Sequence, residues 1–253
     1  MSDEERFTRL ELLVGAAGRE RLTRASVAVF GLGGVGSFAV EALVRGGVGH
    51  LTLVDFDTVA RSNLNRQLHA LEETVGRPKA QVMAERCRSI NPDAEISAVQ
   101  EFYGPENAAA LLAPGYDFVL DCIDNITAKL HLIQTCVERR LPIIASMGAA
   151  NKIDPTRVAL ADISQTRICR LARVLRKELR RRGIDGGVPV VYSSEEFRPL
   201  SSSGGGRAPR GSGAEEYQQR RVPLGSSSVV PPLFGLMMAG EVLRRLLGEG
   251  EIT

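Results

Sequence analysis

Residues 31–67 read GLGGVGSFAVEALVRGGVGHLTLVDFDTVARSNLNRQ, and this stretch decides the fold. It opens with GxGxxG at Gly31, Gly33 and Gly36, and Gly34 adds a further position without a side chain. SVAVF at residues 26–30 leads directly into it, a short β-branched run of the kind that forms a buried parallel strand. Glycine suits such a turn because the backbone must bend tightly and approach phosphate closely, so that loop amides and a helix N-terminus face the anion. Asp55 closes the next strand-like run nineteen residues after Gly36, where a carboxylate can accept hydrogen bonds from ribose hydroxyls. These features imply a nucleotide. A glycine turn that only packs helix on strand is the plainer alternative.

Similar apolar runs recur at 50–54, 95–99, 117–121 and 142–145, separated by helical spacing at 80–90 and 127–140. Such alternation predicts an α/β fold, a doubly wound, Rossmann-like, mostly parallel sheet. After residue 154 the pattern changes to a strand-like VALADI, a basic helical run over 167–182, and VPVVYSSEE. SSSGGGRAPRGSG at 201–213 is rich in Ser and Gly and reads as a mobile loop. The closing SSSVVPPLFGLMMAGEVLRRLLG has apolar residues at helical spacing and reads as a helix packed back on the sheet. The expectation is a single domain over 1–253, with a nucleotide-binding core at 26–150 and a C-terminal lobe at 151–253 that extends on the sheet.

A chain of 253 residues with 43% hydrophobic and 25% charged residues can bury a sizeable core. Its 32 basic and 30 acidic residues leave a net charge of only +2, so affinity for a polyanion must come from local clustering. Cys87, Cys122, Cys136 and Cys169 form no CxxC pair, which argues against a zinc site or disulfide framework and for a reducing cytoplasm. MSDEERFTRLELLVG lacks the apolar core of an export signal. The apolar stretch 229–240, interrupted by Pro231 and Pro232, is too short to span a bilayer and reads as core rather than membrane.

Ser62, Asn63, Arg66 and Gln67 lie just past the second strand, and Lys79 opens the next helix after GRP. An arginine fork and a lysine point charge suit β and γ phosphates and the charge that develops on a leaving pyrophosphate, so Arg66 and Lys79 are catalytic candidates. A solvated helix-start lysine is the alternative for Lys79. Asp121, Cys122, Ile123, Asp124 and Asn125 end the fourth strand at the same edge. An acid there, with Asp124 preferred, can hold Mg2+ together with phosphate oxygens and water. Asn125 reads equally as an ATP-site residue or as the cap of the following helix.

Arg170, Arg173, Arg176 (or Lys177) and Arg180 recur at three- to four-residue spacing and line one helix face that suits phosphates. A solvated basic helix is the alternative. Phe102, Tyr103, Tyr192 and Phe197 are the platforms on offer for an unstacked base. Cys169, among Arg167, Arg170 and Arg173, is the thiol best placed to act as a nucleophile. His50, His69 and His131 lack metal spacing; His69 either orients Gln67 or Arg66 or simply packs.

In order, GLGGVG, LVDFDTV, SNLNRQ, VGRPKA and DCIDN resemble the ATP-binding signature of the ubiquitin-activating superfamily, whose members adenylate carboxylates. NRQLHA, VMAERCRSINPDAEI and GAANKIDPTRVALADIS are most similar to the tRNA threonylcarbamoyladenosine dehydratases, which cyclise a modified adenosine beside the anticodon. This resemblance implies ATP-site positions at Gly34, Asp55, residues 62–66, Lys79, Asp124 and Asn125, with ATP and Mg2+ as cofactors and tRNA as partner. It also implies a homodimer in which Arg9, in RFTR, reaches the neighbouring subunit's ATP. Cyclisation needs no protein nucleophile, because the attacking group is already in the substrate.

The sulfur-carrier adenylyltransferases of the superfamily carry paired CxxC zinc ligands, which this chain lacks, and that counts against a ubiquitin-like sulfur carrier as partner. Adenylylation of such a carrier is the second expectation; a nicotinamide oxidoreductase or a nucleotide-sensing module is the third. The dehydratases tend to have Asp-Pro where this chain has Cys169 and Arg170.

Overall fold

The β-branched runs become strands in the computed structural model, which describes residues 5–199 and 224–249. After an N-terminal helix α1 (Thr8–Arg24) come β1 (Ser26–Phe30), α2 (Gly36–Arg45), β2 (His50–Val54), α3 (Lys79–Ile90), β3 (Glu95–Val99) and the short α4 (Ala108–Leu111). Then follow β4 (Phe118–Asp121), α5 (Ile126–Glu138), β5 (Ile143–Ser146), β6 (Val158–Asp162), α6 (Arg170–Arg180), β7 (Pro189–Ser193) and α7 (Val230–Leu246). One seven-stranded sheet runs in the order β3-β2-β1-β4-β5-β7-β6. Every neighbouring pair is parallel except β6 with β7, which is antiparallel.

Residues alternate faces along a strand, and β1 shows what this does to the core. Val27 and Val29 point into an apolar cluster shared with α2, α3 and α7, whereas Ala28 and Phe30 join the opposite cluster with α4, α5 and α6. Helices therefore cover both faces, and the sheet is buried on both sides. From β1 the chain goes first to β2 on one side and later to β4 on the other, so the crevice at their carboxyl ends is where a ligand is expected in an open α/β sheet.

Residues beyond 150 both lie on this sheet, through α6 and α7, and join it through β6 and β7. β7 pairs with β5 at Ala145↔Val190 and Ser146↔Val191, and β6 closes the edge. α7 follows as expected, with Pro231 and Pro232 tolerated in its first turn, where backbone N–H groups lack helical partners. The basic helix is shorter than the 167–182 expected. Ile168 takes a left-handed φ of 63° just before it and Gly183 a φ of 77° just after, and both conformations break helical hydrogen bonding. The expected loop at 201–213 lies outside the described residues.

α1 had no apolar stripe to announce it. Leu12 and Leu13 stand 84% and 82% exposed, and Gly15 interrupts the helix at φ 73°.

A buried ion pair fixes the end of β4. Lys129 Nζ on α5 lies 2.8 Å from Asp121 Oδ2, with both side chains out of contact with water. Lys129 also donates to the Asp121 carbonyl at 3.2 Å, and Ser146 Oγ to the same carbonyl at 3.3 Å. Removing one partner of such a pair strands the other charge in the core, at a cost of about 3–5 kcal/mol. Urea denaturation of Lys129→Met should show a loss of that size, most of it recovered in Asp121→Asn/Lys129→Met; equal losses in the two variants would contradict the pairing.

Candidate nucleotide site

The glycine turn leaves β1 where two neighbouring strands also end. Gly31 N–H donates to Val54 O at 2.8 Å, and Cys122 N–H donates to Phe30 O at 2.8 Å, so β2 and β4 flank the loop. Gly31 has φ 89°, and a side chain there would meet Cys122 O at 2.8 Å. At Gly36 an added Cβ would lie 1.9 Å from Gly31 O, so only glycine lets α2 start directly beneath the turn. The signature glycines thus serve a backbone geometry that brings amides to the mouth of the crevice.

Asp55 is committed to this loop. Its Oδ2 accepts the Leu32 N–H at 2.6 Å and its Oδ1 accepts the Asp57 N–H at 2.8 Å. Burial pushes its carboxyl up, while Lys79 and the two amides pull the other way. Ser37, which the sequence did not single out, ties the loop to the next segment: its Oγ donates to Gly33 O at 2.7 Å and accepts from Leu68 N–H at 3.2 Å.

Residues 61–67 fold over the loop. Asn63 is buried and its Oδ1 accepts the Ala60 N–H at 3.1 Å, which closes the turn. The carbonyl of Ser62 accepts Arg66 Nη1 at 2.8 Å, and Asn65 Oδ1 accepts the same nitrogen at 2.9 Å. A side chain at Gly34 would meet Arg66 Cγ at 3.2 Å and Pro231 Cβ at 3.1 Å, so Arg66 and the start of α7 close over the glycines. Gln67 comes to Gly33, and its Oε1 is buried without a hydrogen bond among the described residues.

Lys79 is not a solvated helix-start lysine. It is buried, and its Nζ donates to Asp57 Oδ2 at 3.0 Å. The GRP turn explains this: Val59 N–H bonds Arg77 O and Gly76 N–H bonds Val59 O, so residues 76–79 fold back along 57–59. Asp57 is the partner that sequence reasoning missed. The signal was the second acid of LVDFDTV, two residues after Asp55 on the same strand end.

On the β4 side, Asn125 caps α5, its Oδ1 accepting the Ala128 N–H at 3.0 Å. Asp124 is exposed at the strand end. Asp121, also considered for a cation, is taken up by Lys129 and by the Ile123 N–H at 3.1 Å. Among the described residues no group of three His, Cys, Asp or Glu side chains could hold a metal by itself.

Three expectations need correction. Arg176 leaves the basic face: half-buried, it donates to the carbonyl and hydroxyl of Thr166, while Arg170, Arg173, Lys177 and Arg180 stay exposed. Cys169 is buried, with Gly148 beside it, so it is not the exposed thiol a nucleophile requires. Tyr103 and Tyr192 are buried as well and can present no face to a base. Of the other thiols, burial pushes Cys87 and Cys136 up to about 12 and Cys122 higher still.

Arg9 sits exposed on α1, away from the crevice. The neighbouring Phe7 and Leu10 lie against Gly47, and Arg6 pairs with Asp93 at 2.8 Å, all at the amino edge of the sheet. His50 reaches Glu95 at 3.3 Å and His131 meets the Tyr103 hydroxyl at 3.0 Å, both structural contacts.

The profile of the ThiF family matches residues 6–253. The chain belongs to the ThiF family. It is 45% identical over 246 residues to the tRNA threonylcarbamoyladenosine dehydratase of Bacillus subtilis (strain 168), which covers 97% of this chain and 96% of that protein. Crystal structures of the Escherichia coli tRNA N6-threonylcarbamoyladenosine dehydratase in complex with AMP and with ATP superpose at TM-scores of 0.86 and 0.84, with 35% and 34% identity. In both, the match covers 98% of this chain and 97% of the other. Likeness to the molybdopterin-synthase adenylyltransferase of E. coli is 39% over 158 residues, only 61% of this chain.

His69 orients neither Gln67 nor Arg66. It is buried, and neither ring nitrogen makes a hydrogen bond among the described residues. Burial first, and the Lys79 ammonium second, hold its imidazole down at about 4. The unfolded chain, with an ordinary histidine near about 6.5, binds more protons between these values, so stability falls as pH drops from about 6.5 to about 4 and loses no more from this group below that. Urea denaturation at pH 7 and at about pH 4.5 should show the difference shrinking by roughly 2 kcal/mol in His69→Gln. An unchanged difference would contradict the neutral buried imidazole.

Proposed function

We propose that this protein uses ATP to activate the carboxylate of threonylcarbamoyladenosine in tRNA and closes it into a ring with net loss of water. The observation that carries this reading is likeness over almost the whole chain to dehydratases of that name, one of which is known in complexes with AMP and ATP. The site supplies what the chemistry needs. In this reading loop amides would face the phosphates, Asp55 would lie beside the ribose, and Arg66 and Lys79 would reach the β and γ phosphates.

The substrate carboxylate attacks the α-phosphorus; a phosphorus–oxygen bond to the carboxylate forms as the bond to pyrophosphate breaks. Arg66 and Lys79 neutralise the charge that collects on the departing pyrophosphate. The neighbouring ureido group then attacks the activated carbonyl carbon, loses its proton to solvent, and AMP leaves with the electron pair of the bond that breaks. No thiol takes part, which agrees with four buried or half-buried cysteines.

Magnesium fits the acids at the crevice. Asp124, exposed at the end of β4, suits a cation that takes few carboxylates and completes its shell with phosphate oxygens and water. Bound there it would supply further neutralisation of the triphosphate. Asn125 contributes by capping α5, the helix that begins directly after Asp124 at the strand end.

The exposed face of Arg170, Arg173, Lys177 and Arg180 binds tRNA, with an affinity that weakens steeply as salt rises. The protein acts as a homodimer. Arg9 lies at the amino edge of its own sheet, so it serves the second copy's site, and the exposed Leu12 and Leu13 on the same helix give that copy an apolar surface to cover. No helix among the described residues is long and apolar enough to cross a membrane, and cytoplasm suits four unbridged thiols and a tRNA substrate. The sulfur-carrier reading is disfavoured by the shorter match to that relative and by the missing CxxC pairs.

Mass spectrometry of nucleosides after incubating the protein, ATP and tRNA bearing threonylcarbamoyladenosine should show a product lighter by one water. Pyrophosphate released with a sulfur carrier in place of tRNA would overturn the reading. Arg66→Ala and Lys79→Met should each lower conversion about 10²–10³-fold, the scale of a lost transition-state charge contact. Neither should change the circular dichroism spectrum. Mixing Arg9→Ala with Lys79→Met should restore about a quarter of wild-type activity, because half the dimers then hold one complete site. No recovery on mixing would contradict the shared site.

A further inference from the structure

The proposed reaction requires the modified base to be held while its arm reaches the α-phosphate, and the structure separates the aromatic side chains that could hold it. Tyr103 packs edge-on against Phe30, with ring centroids 5.1 Å apart, and Tyr192 is buried within β7. Phe102 lies past β3 against Phe56, centroids 5.0 Å apart, at the opposite end of the strand order from α6. Phe197 differs from all of these. The Arg170 guanidinium, in the first turn of the basic helix, lies 4.5 Å over its ring.

This stack sits beside the nucleotide site. The start of α6 rests on the exit of β5, where a side chain at Gly148 would lie 3.7 Å from Leu171 Cβ and 3.8 Å from Cys169 Sγ. β5 runs parallel to β4, so the two strands end at the same edge. Arg198, next to Phe197, donates its N–H to Asn151 O at 3.1 Å and accepts Asn151 Nδ2 at 2.7 Å. Asn151 N–H then reaches Gly225 O at 2.8 Å, and Asn65 Nδ2 reaches Ser226 O at 2.9 Å. Asn65 Oδ1 in turn accepts Arg66 Nη1. Hydrogen bonds together with the chain links Phe197–Arg198 and Gly225–Ser226 thus connect the stack to Arg66.

An arginine in solvent samples many rotamers and offers a base no fixed plane. One laid over an aromatic ring is held in place by cation–π attraction while it stays exposed, and a guanidinium plane is a stacking surface for an unpaired base. Resting on the tRNA reading above, we infer that Arg170 is the platform on which the purine bearing the threonylcarbamoyl arm stacks, with Phe197 as the positioning residue beneath it. The remaining cations of α6 engage flanking phosphates. Lysine at 170 keeps the charge and loses the plane, which separates stacking from simple phosphate attraction.

The test uses the full chain and tRNA bearing threonylcarbamoyladenosine, with binding by fluorescence anisotropy across a salt series and turnover measured alongside. Arg170→Lys and Phe197→Ala should each weaken binding and raise KM for tRNA about tenfold, within the range of one lost base stack. The kcat, the KM for ATP and the slope of log Kd against log salt should stay at wild-type values, and Phe197→Tyr should restore binding. Wild-type affinity in Arg170→Lys and Phe197→Ala would overturn the platform, as would a Phe197→Ala defect confined to kcat and to KM for ATP. Whether the wild type converts the nucleoside decides the reaction; the ratio of affinities between variants and wild type decides the platform independently.

Discussion

Both oxygens of one buried carboxylate, Asp55, accept backbone amides, one from the glycine turn at Leu32 and one from Asp57 on the strand end beyond it. That double bond to the backbone sets much of the crevice. It holds the turn against the end of β2, with Gly31 already donating to Val54, and it fixes the direction in which Asp57 leaves the strand. Asp57 then receives Lys79, whose own N–H also bonds the Asp57 carbonyl at 3.0 Å. A short chain of contacts therefore carries position from the glycine loop to a buried cation nearly fifty residues further on.

The Lys79–Asp57 pair has a physical consequence for binding. The Asp57 carboxylate lies 3.0 Å from the buried Lys79 ammonium, so neither charge is left alone in the crevice. A triphosphate bound as proposed would bring a stronger set of anionic oxygens to the same place, and would share the lysine with Asp57 or take it over. Arg66 Nη1 donates to the Ser62 carbonyl and to Asn65 Oδ1, contacts that hold the side chain beside Gly34. The resting site is thus organised for anions without having to leave its cations unpaired.

Much of the sheet could be read in the chain because the first five strands are short apolar runs, and the ends of β4 and β5 fell within one residue of expectation. What escaped reading depended on contacts distant in sequence. β6 and β7 entering the main sheet, the burial of Lys79 by a turn that folds back on Asp57, and Lys129 hidden opposite Asp121 have no local signature. A lysine in a helical pattern looks solvated until its partner strand is in place. Arg176 was assigned to the basic face by spacing alone, whereas its position at the margin of that face turned it toward Thr166. α1 was invisible for the opposite reason, since Leu12 and Leu13 point outward and among its leucines only Leu22 is deeply buried, which leaves no inward stripe.

We propose that recognition and chemistry meet at the carboxyl edge of the sheet, with phosphates over the glycine turn and the modified base at the basic first turn of α6, beside the exit of β5. The claim on which both rest is that Arg66 and Lys79 grip the triphosphate. A crystal structure of the protein with ATP tests it most directly. The account predicts Lys79 Nζ and the Arg66 guanidinium within hydrogen-bonding distance of the β and γ phosphate oxygens, with Asp55 beside the ribose. Lys79 still bonded to Asp57 alone, with the phosphates lying elsewhere, would contradict it.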